Sequence, residues 1–473
     1  MSLTAPLVLL RIDADAAAAH HHPRHRHPAL ALKYIQAAVQ QDCGHLAPLI
    51  DHTLLPTLSG DQLAAQALAY QPRLALLSAQ SWNLATALDC ATRLRQAGVV
   101  TIAIGQQVLH AMHAPVAGWE AAYDIALAGD SEAAAPCVVA RLLAGAAPVA
   151  LAAEYAPTPG RLLEIDAPDA LPDPRFDAAE LAAYPFPFPL RRAPVARWGY
   201  VLTAWGCPRA CRHCSVVVRK SATTGLRRRS LAQVADSVAQ LADAGAQGIL
   251  FEDDSLCVDR RRFLALCDTL VQRGLTLPWI ANARPDELDD ECVTAAAAAG
   301  AALFKVGVDC AAPRLIERIG KAKDGAAWID AAQRAFDALN TAAIGSVALF
   351  TLGLPGETAT DVAASIRLAR RLRPDYVQVQ IYTPYPDTAL WNELSAAEQA
   401  GVGNYHYGAP DLSPSAIAAA DLPTLQAHFY HSVYLNPAFA LRHLRRSWRH
   451  YLAPSSIAAS AQHAAYLLCT GSA

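Results

Sequence analysis

Charge is scarce in this sequence. Asp, Glu, Lys and Arg make up 17% of 473 residues and nearly cancel, leaving a net −3 at pH 7. No global basic field therefore draws the chain to nucleic acid or anionic lipid. Long apolar runs are missing as well. The most apolar stretch, 133–153, is broken by Pro136, Arg141, Gly145 and Pro148, which excludes a membrane span there. The opening segment 3–10 is short, lacks a basic region before it and runs into Asp13 and Asp15, so it reads as a buried strand rather than an export signal. Eleven cysteines, an odd number, argue against a disulfide scaffold and for reduced thiols in a cytoplasmic protein. Eight of them (43, 90, 137, 257, 267, 292, 310 and 469) are scattered and read as small core residues. The hydrophobic fraction, 53%, is ample for buried cores, and the length predicts two or three domains.

Apolar runs at 7–12, 47–50, 74–78, 99–105 and 123–128 alternate with helical periods such as 30–41 and 83–97. That alternation predicts a doubly wound α/β domain over 1–153, with ligands held beyond the carboxyl ends of its strands. Proline-rich sequence over 154–195 reads as an extended linker. A second alternation follows over 196–395, with strands predicted at 200–205, 248–252, 277–282, 303–309, 346–352 and 376–382. Six β/α units predict a partial barrel, short of the full eight. From 396 to 473 the pattern is helical.

The densest chemistry is Cys207-Pro-Arg-Ala-Cys211-Arg-His213-Cys214, at the carboxyl end of the first barrel strand. Three soft thiolates so close suit three irons of a 4Fe–4S cube, with the fourth iron open to an outside ligand. A zinc site that adds His213 and a chance clustering are the alternatives.

C-x3-C-x2-C in this position resembles the radical S-adenosylmethionine (SAM) superfamily, and later strand ends resemble it too. Glu252, Asp253 and Asp254 stand where that family binds the SAM ammonium, although Asp254 also suits a helix cap. Asn282-Ala-Arg284 resembles its carboxylate-pairing arginine, and Gly307-Val-Asp309 its Gly-Ile-Glu. Leu352-Gly353-Leu-Pro355-Gly356-Glu357 resembles the turn that meets adenosine. Tyr382-Thr-Pro-Tyr-Pro386 is similar to a segment of the cobalamin-binding branch, with Asp387 in place of a glycine. The resemblance spans about 5–150 and 196–395.

That branch implies a cobalamin-binding front domain, with Ser78, Trp82-Asn83, Gly105 and Gly129 at strand ends. Gly105-Gln106-Gln107 replaces the usual Gly-Gly-Pro. No Asp-x-His-x-x-Gly is present, and Asp51-His52 has the wrong spacing, so no protein histidine is expected on cobalt. The implied cofactors are a 4Fe–4S cluster, SAM and cobalamin. The implied reaction is methylation of an unactivated carbon of a small metabolite or peptide, fed by an electron donor such as flavodoxin or ferredoxin. Oxidation, cyclisation or ring rearrangement with the same cofactors, or a non-catalytic zinc protein, are the other readings. No nucleic acid or membrane partner is expected.

Three remaining features read as surface. His20, His21, His22, His25 and His27 suggest a loop before the first helix. Arg227, Arg228 and Arg229 suggest a solvated edge or an anion site. Arg442, Arg445 and Arg446 suggest a solvated helix face, on a tail that covers the substrate opening.

Overall fold

The structure is a computed structural model that describes residues 4–13, 27–80, 83–113, 115–158, 162–186, 189–191, 194–214, 225–386, 388–402 and 411–448. His20, His21, His22, His25, Trp82, Asp387 and Cys469 lie outside them. The chain forms two compact units, divided chiefly at 175/176.

The first unit holds β1 (Leu7–Ile12), β2 (Leu49–Asp51), β3 (Leu74–Ala79), β4 (Val100–Ile104) and β5 (Ile125–Ala126). They pair in parallel in the order β2-β1-β3-β4-β5. Its principal helices are α1 (Leu30–Cys43), α2 (Gly60–Leu68), α3 (Leu84–Gln96), α4 (Gln106–His113) and α5 (Ala135–Leu143). The fully apolar β1 explains the winding. Leu7 and Leu9 pack with Leu32 and Ile35 of α1 and Val138 of α5. Val8 and Leu10 pack with Leu63 of α2 and Leu94 of α3. Both sheet faces are thus covered, and the strand order reverses between β1 and β3, where such sheets open a crevice.

The second unit carries β6 (Trp198–Val201), β7 (Gly248–Phe251), β8 (Trp279–Ala283), β9 (Ala301–Asp309), β10 (Gly345–Leu352) and β11 (Tyr376–Ile381). They form one parallel sheet in sequence order, the six-stranded partial barrel. Helices α6 (Leu231–Asp243), α7 (Arg260–Gln272), α8 (Asp290–Ala298), α9 (Gly325–Thr341) and α10 (Ala359–Leu372) alternate with them. Trp279 pins the outer face: Phe251, Phe304 and Phe263 of α7 meet its ring edge-on at 5.4–6.4 Å.

Two regions depart from the sequence reading. The stretch 154–195 is not a free linker. Leu163 bridges to Gly129 in the first unit, whereas in the second Tyr200 donates to Tyr184 O and Arg191 forks onto Asp375. Of the three arginines at 227–229 only Arg228 is exposed. Arg227 pairs with Asp130 and Glu164, Arg228 with Asp259, and Arg229 is 1% exposed with Nη1 donating to Ser237.

The C-terminal region is helical, with α11 (Leu422–Tyr434) and α12 (Pro437–Ser447). Helix α11 closes the open edge of β11: Tyr430 Oη accepts from Val379 N, Tyr434 Oη from Val377 N, and Gln426 donates to Val379 O. That removes the hazard of a bare edge strand. Arg446 is half-buried rather than fully solvated: it donates to Arg373 O and lies 3.6 Å from Asp375. Five scattered cysteines (90, 257, 267, 292 and 310) are core residues as expected, while Cys137 is exposed and Cys43 half-buried. No described helix is long and apolar enough to cross a membrane.

Candidate active site

The cysteine loop follows β6 at the carboxyl end of the barrel. Cys211 is buried, and Cys207 and Cys214 are half-buried. A turn from Cys214 N to Cys211 O (3.3 Å) and a bond from Arg212 N to Ile319 O (2.8 Å) shape the loop. Among the described residues no three His, Cys, Asp or Glu side chains converge on a point fit for a single metal ion. A cube asks for something else, one thiolate on each of three irons, so its sulfurs ring it.

Cations gather beside this loop. Arg284 Nη1 lies 3.9 Å from Cys211 Sγ. The rest of that guanidinium forks onto Asp286 at 2.9 Å and donates to Lys321 O at 2.8 Å. Lys321 Nζ pairs with Asp309 at 2.9 Å, and His213 Nε2 stands 4.0 Å from the same carboxylate. Trp328 carries both cations on its ring, Arg284 at 4.6 Å and Lys321 at 5.6 Å. Burial alone would raise the Asp309 pKa, but Lys321 and His213 outweigh it and hold the carboxyl below its usual value. Asp309 sits at φ 67°, a left-handed conformation rare for a side chain, at the irregular end of β9. His213 is pushed below its ordinary value, chiefly by burial.

The three acids after β7 do different things. Asp253 is engaged structurally: Thr203 N and Oγ1 donate to its two oxygens at 3.0 and 2.7 Å. Its burial raises its pKa to about 6. Asp254 is exposed, and Glu252 is half-buried beside Asn282, whose amide donates to Asp253 O at 2.9 Å.

The turn after β10 is held from within. Glu357, fully buried, accepts from Gly353 N (2.6 Å) and Leu354 N (3.4 Å), with Pro355 buried and Gly356 exposed. Burial pushes the Glu357 carboxyl from 4.5 up to about 7, against those two N–H groups. The folded chain therefore binds more protons than the unfolded one between those values, and stability falls as pH rises through that window. At pH 8 the full cost stands, on the order of 3 kcal/mol. Glu357→Gln keeps an acceptor for Gly353 and drops the charge. Its thermal midpoint should gain on the parent steadily from pH 5 to pH 8. Parallel curves would show that this burial carries no electrostatic cost.

Inside the sheet lies a wet face that the sequence reading overlooked. The faces set by Trp279, Phe251 and Phe304 are buried under helices. The alternate positions Leu202, Glu252, Asn282, Lys305, Leu349 and Gln378 all keep solvent exposure. Register puts Asn282 beside Lys305 and Leu349 beside Gln378. The barrel thus has an open lumen lined by amides, one acid and one lysine. The alternation Tyr376-Val-Gln-Val-Gln-Ile381 carried that signal, as did Lys305 within an otherwise apolar strand. Nothing in the sequence marked Lys321 or Trp328.

At the carboxyl edge of the first unit, Ser78 pairs with Ile104, and Gln80 and Gln106 follow two residues after each. Both Oε1 atoms are buried, with no hydrogen-bond partner among the described residues. Gln107 is satisfied by Leu77 O, Ile104 O and Tyr123 Oη. Gly105 holds φ +83°, and a Cβ there would meet Ser78 Oγ at 3.0 Å. Gly129 answers a different need, because its Cβ would lie 2.4 Å from Leu163 O.

Residues 202–369 match the Radical SAM superfamily. Over 226 residues the chain is 32% identical to an uncharacterized methyltransferase of Pyrococcus horikoshii, covering 47% of this chain and 46% of that one. Over 240 residues it is 26% identical to the anaerobic magnesium-protoporphyrin IX monomethyl ester cyclase of Rubrivivax gelatinosus, covering 50% and 42%. The matches thus span less than half the length of these relatives. Among solved structures it is similar to the radical SAM methyltransferase TsrM from Kitasatospora setae, with cobalamin and a [4Fe–4S] cluster bound. The TM-score is 0.64 at 19% identity, covering 84% of this chain and 79% of that one. It is also similar to the cobalamin-dependent radical enzyme OxsB with aqua-cobalamin bound, at a TM-score of 0.58 and 15% identity, covering 88% and 58%. At such identities the likeness is one of fold.

Proposed function

Because residues 202–369 match the radical SAM superfamily, we propose that the protein is a cobalamin-dependent radical SAM methyltransferase acting on an unactivated carbon of a small metabolite or peptide. The observation that carries this is the Cys207, Cys211 and Cys214 loop inside the matched barrel, with Arg284 and Lys321 beside it. Cations there offset the negative charge that three thiolates and a sulfide-rich cube bring. The cluster, bound with SAM, supplies reductive cleavage of the sulfonium to a carbon radical. Glu252 is placed to receive the SAM ammonium, since Asp253 is already committed to Thr203. Asp309, fixed by Lys321 and His213, holds the strand end where the loop docks. An electron donor such as flavodoxin or ferredoxin supplies the reducing equivalent.

The first unit suits a corrin at its strand ends. Two orphaned amide oxygens, Gln80 and Gln106, want donors, and a corrin rim carries primary amides. Cobalamin, when bound, supplies the methyl group. The test gives reconstituted protein hydroxocobalamin, reductant and SAM, and assays both co-products. A methyltransferase releases 5′-deoxyadenosine and S-adenosylhomocysteine. Formation of 5′-deoxyadenosine alone would overturn methylation in favour of oxidation or cyclisation, the reading that the cyclase relative supports.

A further inference from the structure

None of the cluster, SAM or corrin roles proposed above falls on Lys305, yet it stands inside the barrel. Its strand neighbours Phe304 and Val306 face the helices, so Lys305 faces the lumen. Among the described residues its ammonium makes no hydrogen bond and no ion pair. Its neighbours are the Phe186 ring, 5.7 Å from Nζ, and Glu252, which acts on it without a salt bridge. Burial pushes the ammonium below its ordinary value, and Glu252 only partly restores it.

A cation that water reaches only in part is held at a cost to stability unless an opposite charge meets it. Glu252 is the acid on the same layer of the lumen. On the proposed function it serves the SAM ammonium, which leaves Lys305 as uncompensated positive charge. The other lumen groups, Asn282, Gln378 and Leu349, are neutral.

We propose that Lys305 anchors an anionic group, a carboxylate or phosphate-type oxyanion, on the substrate. This rests on the proposed function, because that reading assigns Glu252 elsewhere. The substrate is then an acid whose charged end lies deep in the barrel. Asn282 and Gln378 offer amide donors and acceptors above it, and Leu349 an apolar wall.

Bromide serves as the probe, because its anomalous scattering locates an anion without knowledge of the substrate. Crystals of the reconstituted protein, with and without SAM, are soaked in sodium bromide. A bromide against Nζ is expected, and it should be lost in Lys305→Met. SAM affinity of that variant should stay within about twofold of the parent, well short of the tenfold that 1.4 kcal/mol represents. Its thermal midpoint should be equal or higher, since an unpaired cation has been removed.

An empty lumen, with Nζ closed onto Glu252, would overturn the inference. So would a tenfold loss of SAM affinity in Lys305→Met, which would make the SAM carboxylate the anion. If the parent takes up no SAM, the proposed function falls, while the bromide soak without SAM still decides what Lys305 does.

Discussion

Replacing any one of Cys207, Cys211 or Cys214 with Ala is expected to abolish bound iron and SAM cleavage together. Each thiolate holds a different iron, so no remaining cysteine substitutes for a lost one. The structure supplies the control. Cys257 and Cys267 are core residues whose thiols burial pushes up, to about 12 for Cys267. Such buried thiols are costly to deprotonate and make poor iron ligands, because the thiolate is the ligand. Cys257→Ala and Cys267→Ala should keep the brown colour, the iron count and 5′-deoxyadenosine production. Iron and sulfide analysis after anaerobic reconstitution, with product chromatography, reads both outcomes. Full cleavage in a single loop variant would remove the cluster assignment and revive the zinc alternative.

The fold was legible where burial on two faces leaves a simple mark. Strand β1 is apolar at nearly every position because helices cover both sides, and its limits match the sequence reading. Helix α1 begins where its apolar period begins, at Leu30, and runs to Cys43 before Gly44 caps it at φ 70°. The contacts that pin 154–195 were not legible, for a physical reason. Proline run and low periodicity do mark an absence of long elements, but backbone without a ladder can still be pinned. Leu163 finds Gly129, and the Arg191 guanidinium finds Asp375, 184 residues away. Pairings at that separation leave no local trace.

The same distinction runs through the site. The cysteine loop and the Gly353–Glu357 turn are contiguous, so they were visible. Asp253 and Arg284 stood out as charged residues at strand ends, but their partners did not. Thr203, Asp286 and Lys321 decide what those charges do, and only tertiary structure brings Thr203 and Lys321 to them. Arg227 to Arg229 show the converse error. A run of like charge reads as solvated until three different acceptors, Asp130, Asp259 and Ser237, are seen to meet it.

Hydroxocobalamin should bind the intact, folded chain at about one per chain, and the double substitution Gln80→Leu, Gln106→Leu should weaken that binding by roughly ten- to a hundredfold. The two side chains follow β3 and β4 at the carboxyl edge of the sheet, and β3 borders the crevice where the strand order reverses. Each buries an amide oxygen with no partner among the described residues, a state that costs on the order of 1–3 kcal/mol unless a ligand donor relieves it. Leucine fills a similar volume without the oxygen. The corrin-free variant should therefore be at least as stable as the parent, while its corrin affinity drops. Opposite movements in stability and affinity distinguish a ligand role from damage to the fold. His52→Ala is the companion experiment. His52 Nε2 is bonded to Leu58 O at 3.0 Å, and burial lowers its pKa, so it is a structural histidine of the first unit. Its loss should leave the absorption spectrum of bound hydroxocobalamin unchanged. A double variant that binds the corrin as tightly as the parent would show that Gln80 and Gln106 do not touch it. A parent that binds none would reduce the first unit to a fold without its cofactor.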